Sequence, residues 1–218
     1  MSPVRGVLFD LDGTLLDTAG DLVGALNHVR AHEGHPPVAV ADYRQYVSQG
    51  ALGLIRVGMP ASGETVTEAR RQRFLDHYQD HSQELTRPFD GVEEMLRALE
   101  QRAVPWAIVT NKPEYLTHPI IRFVGWERRI AGVVCGDTLP VRKPDAAPVE
   151  RGCQLLGVRA CDVLMVGDDA RDMEAGLAAG TRTALMAYGY GTEAARVSGP
   201  RADHEFARPA DLLPLTAG

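Results

Sequence analysis

The chain has 218 residues, of which 44% are hydrophobic and 24% are charged. This length and composition predict a soluble globular protein of one or two domains and exclude a disordered or fibrous chain. The net charge of −6 argues against a protein that binds nucleic acid or an anionic membrane surface, because such proteins normally carry a basic patch. No apolar run approaches the roughly 18 residues of a membrane span, and no secretory signal is recognisable, so we expect a cytoplasmic protein.

The first apolar segment, residues 4–10, predicts a short buried strand. Helices are then predicted at 21–31, 43–57 and 67–85. Further strands are predicted at 104–110, 131–135, 163–166 and 183–186, with helices between them. Because strands that alternate with helices form parallel sheets with right-handed crossovers, we predict an α/β fold with a Rossmann-like parallel sheet.

Residues 18–87 interrupt this alternation, since they contain helical patterns and no strand pattern. We expect them to form an all-helical domain inserted after the first strand, with residues 1–17 and 88–218 forming the discontinuous Rossmann-like core. The first helix after the insertion is expected to begin at Asp90 as N-cap, with Glu93 completing a capping box.

Two carboxylates follow the first strand, in the segment Asp10-Leu11-Asp12-Gly13-Thr14. We expect Asp10 to be the last strand residue. Because ligands of an open α/β sheet bind at the carboxyl ends of its strands, Asp10 and Asp12 can face one pocket. Gly13 would let the backbone approach a bound anion. On spacing alone, an Asx turn at the start of a helix is the alternative.

Polar groups also follow the later strands, in Thr110-Asn111-Lys112, in Arg142-Lys143-Pro144 and in Gly167-Asp168-Asp169 with Asp172 beyond it. A hydroxyl and backbone amides suit a phosphate oxygen. Crowded carboxylates need a cation or a proton, and a hard cation such as Mg²⁺ fits oxygen ligands. Taken alone, Lys112 and Lys143 fit solvated loop charges. They are nevertheless the only lysines among 23 basic residues, which favours places where a compact ammonium is needed.

In order and spacing, these motifs resemble those of the haloacid dehalogenase superfamily, over essentially the whole chain. The resemblance is closest to its phosphatases with a helical cap, of the phosphoglycolate phosphatase type. Residues 10–14 are similar to the nucleophile motif, Thr110-Asn111 to the second motif, Lys143 to the third, and Gly167 through Asp172 to the fourth. The fold of that family, a Rossmann-like sheet with an insertion after strand one, agrees with the interruption already described.

The resemblance implies Mg²⁺-dependent hydrolysis of a small-metabolite phosphomonoester through an aspartyl-phosphate formed on Asp10. Asp12 is expected to protonate the leaving alkoxide and then to activate the hydrolytic water. The implied metal ligands are the Asp10 carboxylate, the Asp12 main-chain carbonyl and the Asp168 carboxylate. Lys143 is expected to neutralise charge on the phosphoryl group and on Asp10.

Other implied roles concern the surroundings of these groups. Gly13, Thr110 and Asn111 are expected to hold phosphoryl oxygens. Asp172 is expected to orient Lys143 or a water of the metal site without binding the metal. Asp169 is expected either to contact such a water or to cap a helix.

The helical insertion is expected to close over the substrate. By resemblance, the Ser48-Gln49-Gly50 turn lies nearest the leaving group, where Gly50 permits close approach of the backbone. Arg44 or Arg56 could bind a substrate carboxylate, with a solvated helix face as the alternative for each. The expected partner is a small phosphorylated metabolite, and neither nucleic acid nor a membrane is expected to bind. The protein itself is expected to be a monomer or a homodimer.

Several alternatives within the superfamily differ in the residues they require. Asp12 disfavours a dehalogenase, because a halide leaving group needs no proton. The absence of lysine from residues 18–87 argues against a phosphonatase, which would form a Schiff base there. A sugar phosphomutase stays open, and so does, with less support, a non-catalytic binding protein on the same fold.

The substrate also has two candidates. Besides the phosphoglycolate type, residues 46–51 and 136–140 resemble a branch that acts on N-acetylmuramic acid 6-phosphate in cell-wall recycling. Both molecules carry a carboxylate and a phosphate, and the motifs do not choose between them.

Overall fold

The computed structural model describes residues 3–60 and 66–216. The strands are β1 (Gly6–Phe9), β2 (Leu16–Asp17), β3 (Arg87–Pro88), β4 (Trp106–Val109), β5 (Val133–Val134), β6 (Val163–Gly167), β7 (Arg182–Met186) and β8 (His204–Phe206). The α-helices are α1 (Ala19–His32), α2 (Val40–Tyr43), α3 (Gly50–Gly58), α4 (Glu68–His81), α5 (Val92–Gln101), α6 (Glu114–Phe123), α7 (Ala147–Leu156), α8 (Ala170–Ala178) and α9 (Thr192–Ser198). No helix among these residues is long and apolar enough to cross a membrane.

Six strands form one sheet in the order β5-β4-β1-β6-β7-β8, and every neighbouring pair in it is parallel. The predicted α/β class with a parallel sheet is therefore confirmed. β1 lies in the middle, and the strand order reverses on either side of it. In open α/β sheets this reversal leaves a crevice at the carboxyl ends of the central strands, where ligands bind.

The three central strands, β1, β4 and β6, are buried on both faces of the sheet, and this explains why they are apolar at every position. In β1, Val7 and Phe9 pack into the layer that contains α5, whereas Leu8 packs with Val149 and Cys153 of α7 on the opposite face. Packing against these two layers fixes the direction of β1, and therefore the position of Asp10, the residue that follows it.

The helices between β2 and β3 form a separate layer in which α1 packs against α3 and α4. The chain leaves the core along β2 and returns along β3, and these two strands form a short antiparallel ribbon. The division of the chain into domains at residues 17/18 and 87/88 stays a prediction. Residues 1, 2, 61–65, 217 and 218 of those ranges lie outside the described residues.

Some predicted elements were wrong in detail. The helix predicted at 43–57 is divided into the end of α2, a 3-10 helix at Arg44–Gln49, and α3. The division occurs because Gly50, with a φ of 66°, ends the 3-10 helix and redirects the chain at the start of α3. The ribbon β2–β3 and strand β8 carry no strong apolar alternation and were not predicted. Asp90 does not cap α5. Gly91 is its N-cap, and Glu93 instead pairs with Trp126 and Arg129.

Candidate active site

The carboxyl ends of β1, β4 and β6 bring the predicted polar groups to one edge of the sheet. Asp10 directly follows β1 instead of ending it, and its amide still donates to the Val166 carbonyl of β6 at 2.9 Å. Thr110 follows β4 and Asp168 follows β6. Parallel register thus places side chains that are far apart in sequence around one cavity.

Lys143 lies at the centre of the charged cluster. Its side chain is 2% exposed, and its Nζ lies 2.9 Å from Asp10 Oδ1 and 2.6 Å from Asp172 Oδ1. The Nζ also donates to the Val109 carbonyl at 2.6 Å. Although burial alone would lower the pKa of Lys143, the carboxylates of Asp10 and Asp172 raise it. The lysine therefore remains a cation between these two acids.

Asp168 is fully buried beside the same cluster. Its carboxylate accepts hydrogen bonds from the Thr14 hydroxyl at 3.1 Å and the Gly191 amide at 2.9 Å. Burial, reinforced by the negative charges of Asp10 and Asp172, raises the pKa of Asp168 to about 8. Burial also raises the pKa of Asp172, to about 6, against the opposing effect of Lys143.

The residues fit a divalent cation with oxygen ligands. Carboxylate oxygens of Asp10, Asp168 and Asp172 lie within 4.8 Å of one another. Asp10 Oδ1 is buried, and although Lys143 lies near it, the direction of approach does not make a hydrogen bond. Three crowded carboxylates against one lysine leave an excess of negative charge, which a cation such as Mg²⁺ would compensate.

Asp172 lies beside the two expected carboxylate ligands, Asp10 and Asp168. Its Oδ1 contacts Nζ of Lys143, the lysine that it was expected to orient, at 2.6 Å. The carboxylate of Asp12 is not in the cluster, and its expected contribution, the main-chain carbonyl, stays a prediction.

Asp12 faces the cavity and pairs with Lys112. Nζ of Lys112 lies 3.0 Å from Asp12 Oδ1 and 3.1 Å from Oδ2, and it donates to the Tyr78 hydroxyl at 2.8 Å. Lys112 is 8% exposed and Tyr78, on α4, is 1% exposed. The interpretation of Lys112 as a solvated loop charge was therefore wrong.

The second motif forms part of the cavity wall. Thr110 is buried, and its hydroxyl accepts the Lys112 amide at 3.2 Å. The side chain of Asn111 is turned away to donate to the Lys143 carbonyl at 2.9 Å. Within the described residues the backbone amides of Asp12 and Asn111 donate to no acceptor, so both are available to an anion.

Gly13 lies directly against Asp168, and its expected role toward a bound anion stays a prediction. Its amide donates to the Leu16 carbonyl at 3.0 Å, so this group is already used. A Cβ at Gly13 would lie 2.5 Å from Asp168 Oδ2, and the φ of 85° is itself unfavourable for other residues. In this structure the glycine makes room for the Asp168 carboxylate.

Asp169 caps α8. Its side chain accepts the Arg171 amide at 3.0 Å and pairs with Arg171 Nε at 2.7 Å, while Asp172 accepts the Asp169 amide in return. Of the two expected roles, the structure places Asp169 in the capping one. Arg171 also donates to the Ser48 carbonyl and so ties the Ser48-Gln49-Gly50 turn to the core.

The cavity between the core and the helical layer has a volume of about 290 Å³. The core side is lined by charged and polar groups, and the opposite side by apolar side chains of the helical layer. These apolar residues are Leu22, Val47, Leu52, Phe74 and Leu75. Gly50 also lines the cavity, with a φ of 66° and open space beside its Cα.

Neither Arg44 nor Arg56, the two candidates for binding a carboxylate, lines this cavity. Arg44 pairs with Asp17 of β2 at 2.9 Å and lies over the Tyr190 ring, and Arg56 is exposed on α3. Arg71 of α4 lines the cavity instead. Its guanidinium forms an ion pair with Glu68, one turn earlier on the same helix, at 2.9 Å.

Sequence reasoning missed Tyr78, Arg71 and Arg171. Tyr78 and Arg71 belong to an amphipathic helix, whose pattern does not reveal which polar groups face a cavity. Arg171 follows Asp169 in the fourth motif, where it looks like ordinary helix surface. Only the rarity of lysine pointed toward Lys112.

The family model described as haloacid dehalogenase-like hydrolase matches residues 7–186. An N-acetylmuramic acid 6-phosphate phosphatase of Pseudomonas aeruginosa is 43% identical, over 86% of this chain and 83% of that protein. A phosphoglycolate phosphatase of Xylella fastidiosa is 40% identical, over 85% of this chain and 81% of that protein.

A crystal structure described as a predicted phosphoglycolate phosphatase from Haemophilus somnus has a similar fold. It superimposes with a TM-score of 0.83 and 27% identity, and covers 98% of both chains. The family match spans the sheet edge, both lysines and every carboxylate of the cluster. The chain therefore belongs to the haloacid dehalogenase-like hydrolase family.

Proposed function

We propose that this protein is a divalent-metal-dependent phosphatase that hydrolyses small phosphorylated metabolites through an aspartyl-phosphate on Asp10. The observation that carries the proposal is the position of Asp10. Its carboxylate lies at the cavity, held 2.9 Å from the Lys143 ammonium and within 4.8 Å of the Asp168 and Asp172 carboxylates. Such an arrangement lets a carboxylate act as nucleophile toward an anionic phosphoryl group.

The chemistry divides between the two acids of the first motif. Asp10 attacks phosphorus, and the bond from phosphorus to the ester oxygen breaks. Asp12 gives a proton to that oxygen, and then accepts one from the water that releases phosphate from Asp10. Lys143 balances charge on Asp10 and on the phosphoryl oxygens, while the free amides of Asp12 and Asn111 and the Thr110 hydroxyl face the same oxygens.

We propose Mg²⁺ as the cation, held by the Asp10 and Asp168 carboxylates and the Asp12 main-chain carbonyl, with Asp172 beside them. When bound, it supplies charge neutralisation between nucleophile and phosphate. Gly13 supports this site by leaving room for Asp168.

Residues 18–87 are proposed to be the cap. They supply the apolar wall of the cavity and the Ser48-Gln49-Gly50 turn, so they contact the part of the substrate that is not phosphate. A closed cap over a small cavity excludes macromolecules, and therefore favours metabolites over phosphoproteins.

For the substrate we propose a phosphorylated carboxylic acid of the phosphoglycolate type. Both named relatives act, by their names, on a phosphate ester that also carries a carboxylate. Arg71 is the residue we propose to bind that carboxylate, because it lines the cavity on the cap side and its ion pair with Glu68 is partly exposed.

A second candidate is N-acetylmuramic acid 6-phosphate, and the apolar side of the cavity favours it. Aliphatic and aromatic side chains of the helical layer line that side, and they give the acetyl group of this sugar an apolar surface to contact.

The test is phosphate release from a panel assayed with Mg²⁺ and with EDTA. The panel contains phosphoglycolate, N-acetylmuramic acid 6-phosphate, N-acetylglucosamine 6-phosphate, glucose 6-phosphate and 4-nitrophenyl phosphate. We expect metal-dependent turnover, with kcat/KM highest for one of the two carboxylates. Equal rates with EDTA, or no hydrolysis of any ester, would contradict the proposal.

A further inference from the structure

The charge network around Asp12 includes a residue that the four motifs do not explain. Lys112 is one of only two lysines in the chain, and both lie in this site. Lys143 is accounted for by Asp10 and Asp172. Lys112 approaches a different acid, Asp12, and contacts the helical layer at the same time.

Lys112 is fixed at both ends. Its carbonyl accepts the Gly136 amide at 2.9 Å and the Thr117 hydroxyl at 3.3 Å. Its Nζ is nearly equidistant from the two Asp12 oxygens, at 3.0 and 3.1 Å. A donor that contacts both oxygens restrains rotation of the carboxylate plane, whereas contact with one oxygen would leave that rotation free.

The third partner of Nζ comes from the helical layer. The Tyr78 hydroxyl on α4 accepts a hydrogen bond at 2.8 Å, and Nζ lies 4.6 Å from the Tyr78 ring centre. Both side chains are almost entirely buried. A buried ammonium is costly unless it is paired, so Asp12 and Tyr78 together keep Lys112 in place.

We propose that Lys112 is a positioning residue that holds Asp12 in the orientation for proton transfer, and that Tyr78 makes this orientation depend on the position of α4. The inference rests on the proposed function, because it assigns Asp12 the proton-transfer role. Lys112 does not itself give up a proton in the reaction.

The proton balance is consistent with an ion pair between Lys112 and Asp12. A phosphate monoester has a second pKa of about 6, so the substrate can carry a proton into the site and pass it to Asp12. Asp12 gives this proton to the leaving oxygen as the bond from phosphorus to that oxygen breaks. It then takes a proton from the attacking water and passes it to the departing phosphate, which returns Asp12 to its carboxylate form.

The leaving group supplies a test that a purely structural role would not pass. An alkoxide must be protonated as it leaves, whereas 4-nitrophenolate leaves without protonation. Loss of Asp12 orientation therefore lowers kcat/KM for an alkyl phosphate much more than for 4-nitrophenyl phosphate. A general distortion of the site lowers both equally, because both esters need attack by Asp10.

The experiment measures kcat/KM for Lys112→Met and for Tyr78→Phe on an aryl ester and on an alkyl ester. The aryl ester is 4-nitrophenyl phosphate. The alkyl ester is phosphoglycolate or N-acetylmuramic acid 6-phosphate, whichever the wild type cleaves faster. For Lys112→Met we expect a loss on the order of 10²-fold on the alkyl ester and less than about tenfold on the aryl ester. Tyr78→Phe should show the same selectivity with a smaller loss, and it keeps the test valid if Lys112→Met fails to fold. Arg56→Met is the control, since Arg56 is exposed on α3 and does not line the cavity.

A double-mutant cycle with Asp12→Asn completes the design. If Lys112 acts through Asp12, Lys112→Met should cost little more in the Asp12→Asn background, so the two losses are far from additive. Equal losses on both esters, or additive losses in the cycle, overturn the inference while leaving the proposed function intact. A wild type that cleaves none of the esters in the panel overturns both the inference and the proposed function.

Discussion

The two sides of the cavity are built on different principles. On the core side, Lys143, Asp168 and Asp172 are almost fully buried, and ion pairs and hydrogen bonds fix their positions. On the helical side the wall is mostly apolar, and Arg71 is partly exposed, with 41% of its side-chain surface accessible. The core side is organised for a reaction on phosphate, and the helical side for choosing what is attached to the phosphate.

This difference predicts that changes on the core side affect all substrates, whereas changes on the helical side affect some substrates more than others. Lys112 and Tyr78 are an intermediate case, because they join the two sides.

The largest effect is expected from Asp10→Asn. An amide is a poor nucleophile and a weaker ligand for a hard cation, so turnover should fall to background on every ester. The measurement is kcat with Mg²⁺, together with detection of a phosphorylated enzyme in the wild type. Asp42→Asn, an exposed acid on α2, serves as control. Near-native hydrolysis by Asp10→Asn would rule out the covalent route.

Lys143→Arg should also fail on every ester, despite keeping the charge. Nζ has three partners within 2.9 Å, and the larger planar guanidinium cannot occupy the same position. We expect kcat to fall on the order of 10²–10³-fold, as for loss of one preorganised charge-stabilising group. Arg56→Lys is the matched control at an exposed position. Wild-type rates in Lys143→Arg would place the lysine outside the reaction.

The core side could largely be predicted from sequence, and the reason is geometric. Asp10, Thr110 and Asp168 each follow an apolar strand, and parallel register brings strand ends together whatever lies between them. The α/β class and the helical insertion followed from the same alternation. Short strands such as β2 and β3 were missed, because two residues provide no periodicity.

The helical side could not be predicted in the same way. Three arginines lie on helical segments with similar sequence patterns, namely Arg44, Arg56 and Arg71. Which of them faces the cavity depends on how the chain turns at Gly50 and on how α4 packs against α1. Arg44 was one of two candidates for binding a substrate carboxylate, yet its guanidinium is paired with Asp17. Packing between helices determines which side chains line the helical side of the cavity, and a single sequence does not specify that packing.

The crowded carboxylates predict an effect of pH and metal on stability. The pKa of Asp168 is raised from 3.8 to about 8 by burial and by neighbouring carboxylates. Because the folded protein then holds this proton more tightly than the unfolded chain, the stabilisation is complete below about pH 4 and is lost as pH rises through about 8. Metal-free protein should therefore unfold at lower temperature as pH rises through this window.

Mg²⁺ should oppose that loss at high pH, since a cation replaces the proton. At a concentration about 100 times its dissociation constant, it should raise Tm by roughly 5–10 °C. The measurement is Tm from pH 4 to 8 with EDTA or with Mg²⁺, on the wild type and Asp168→Asn. The variant should lose most of the Mg²⁺-dependent rise. A wild-type Tm that does not respond to Mg²⁺ at the upper end of this range would contradict the metal assignment.

The smallest and most selective effect is expected from Arg71→Ala. Arg71 lines the helical side, and its partner Glu68 is itself 73% exposed, so a substrate carboxylate can replace or join that partner. Partial solvent exposure screens the interaction, so we expect a loss of about tenfold in kcat/KM on carboxylate substrates, or roughly 1.4 kcal/mol.

N-acetylmuramic acid 6-phosphate and N-acetylglucosamine 6-phosphate form a matched pair, because only the first carries the lactyl carboxylate. Arg71→Ala should reduce the preference for the first over the second, while Arg56→Ala should leave it unchanged. Equal losses on both sugars, or no loss on either, would mean that Arg71 does not bind the carboxylate, and that substrate choice on the helical side depends on the apolar wall alone.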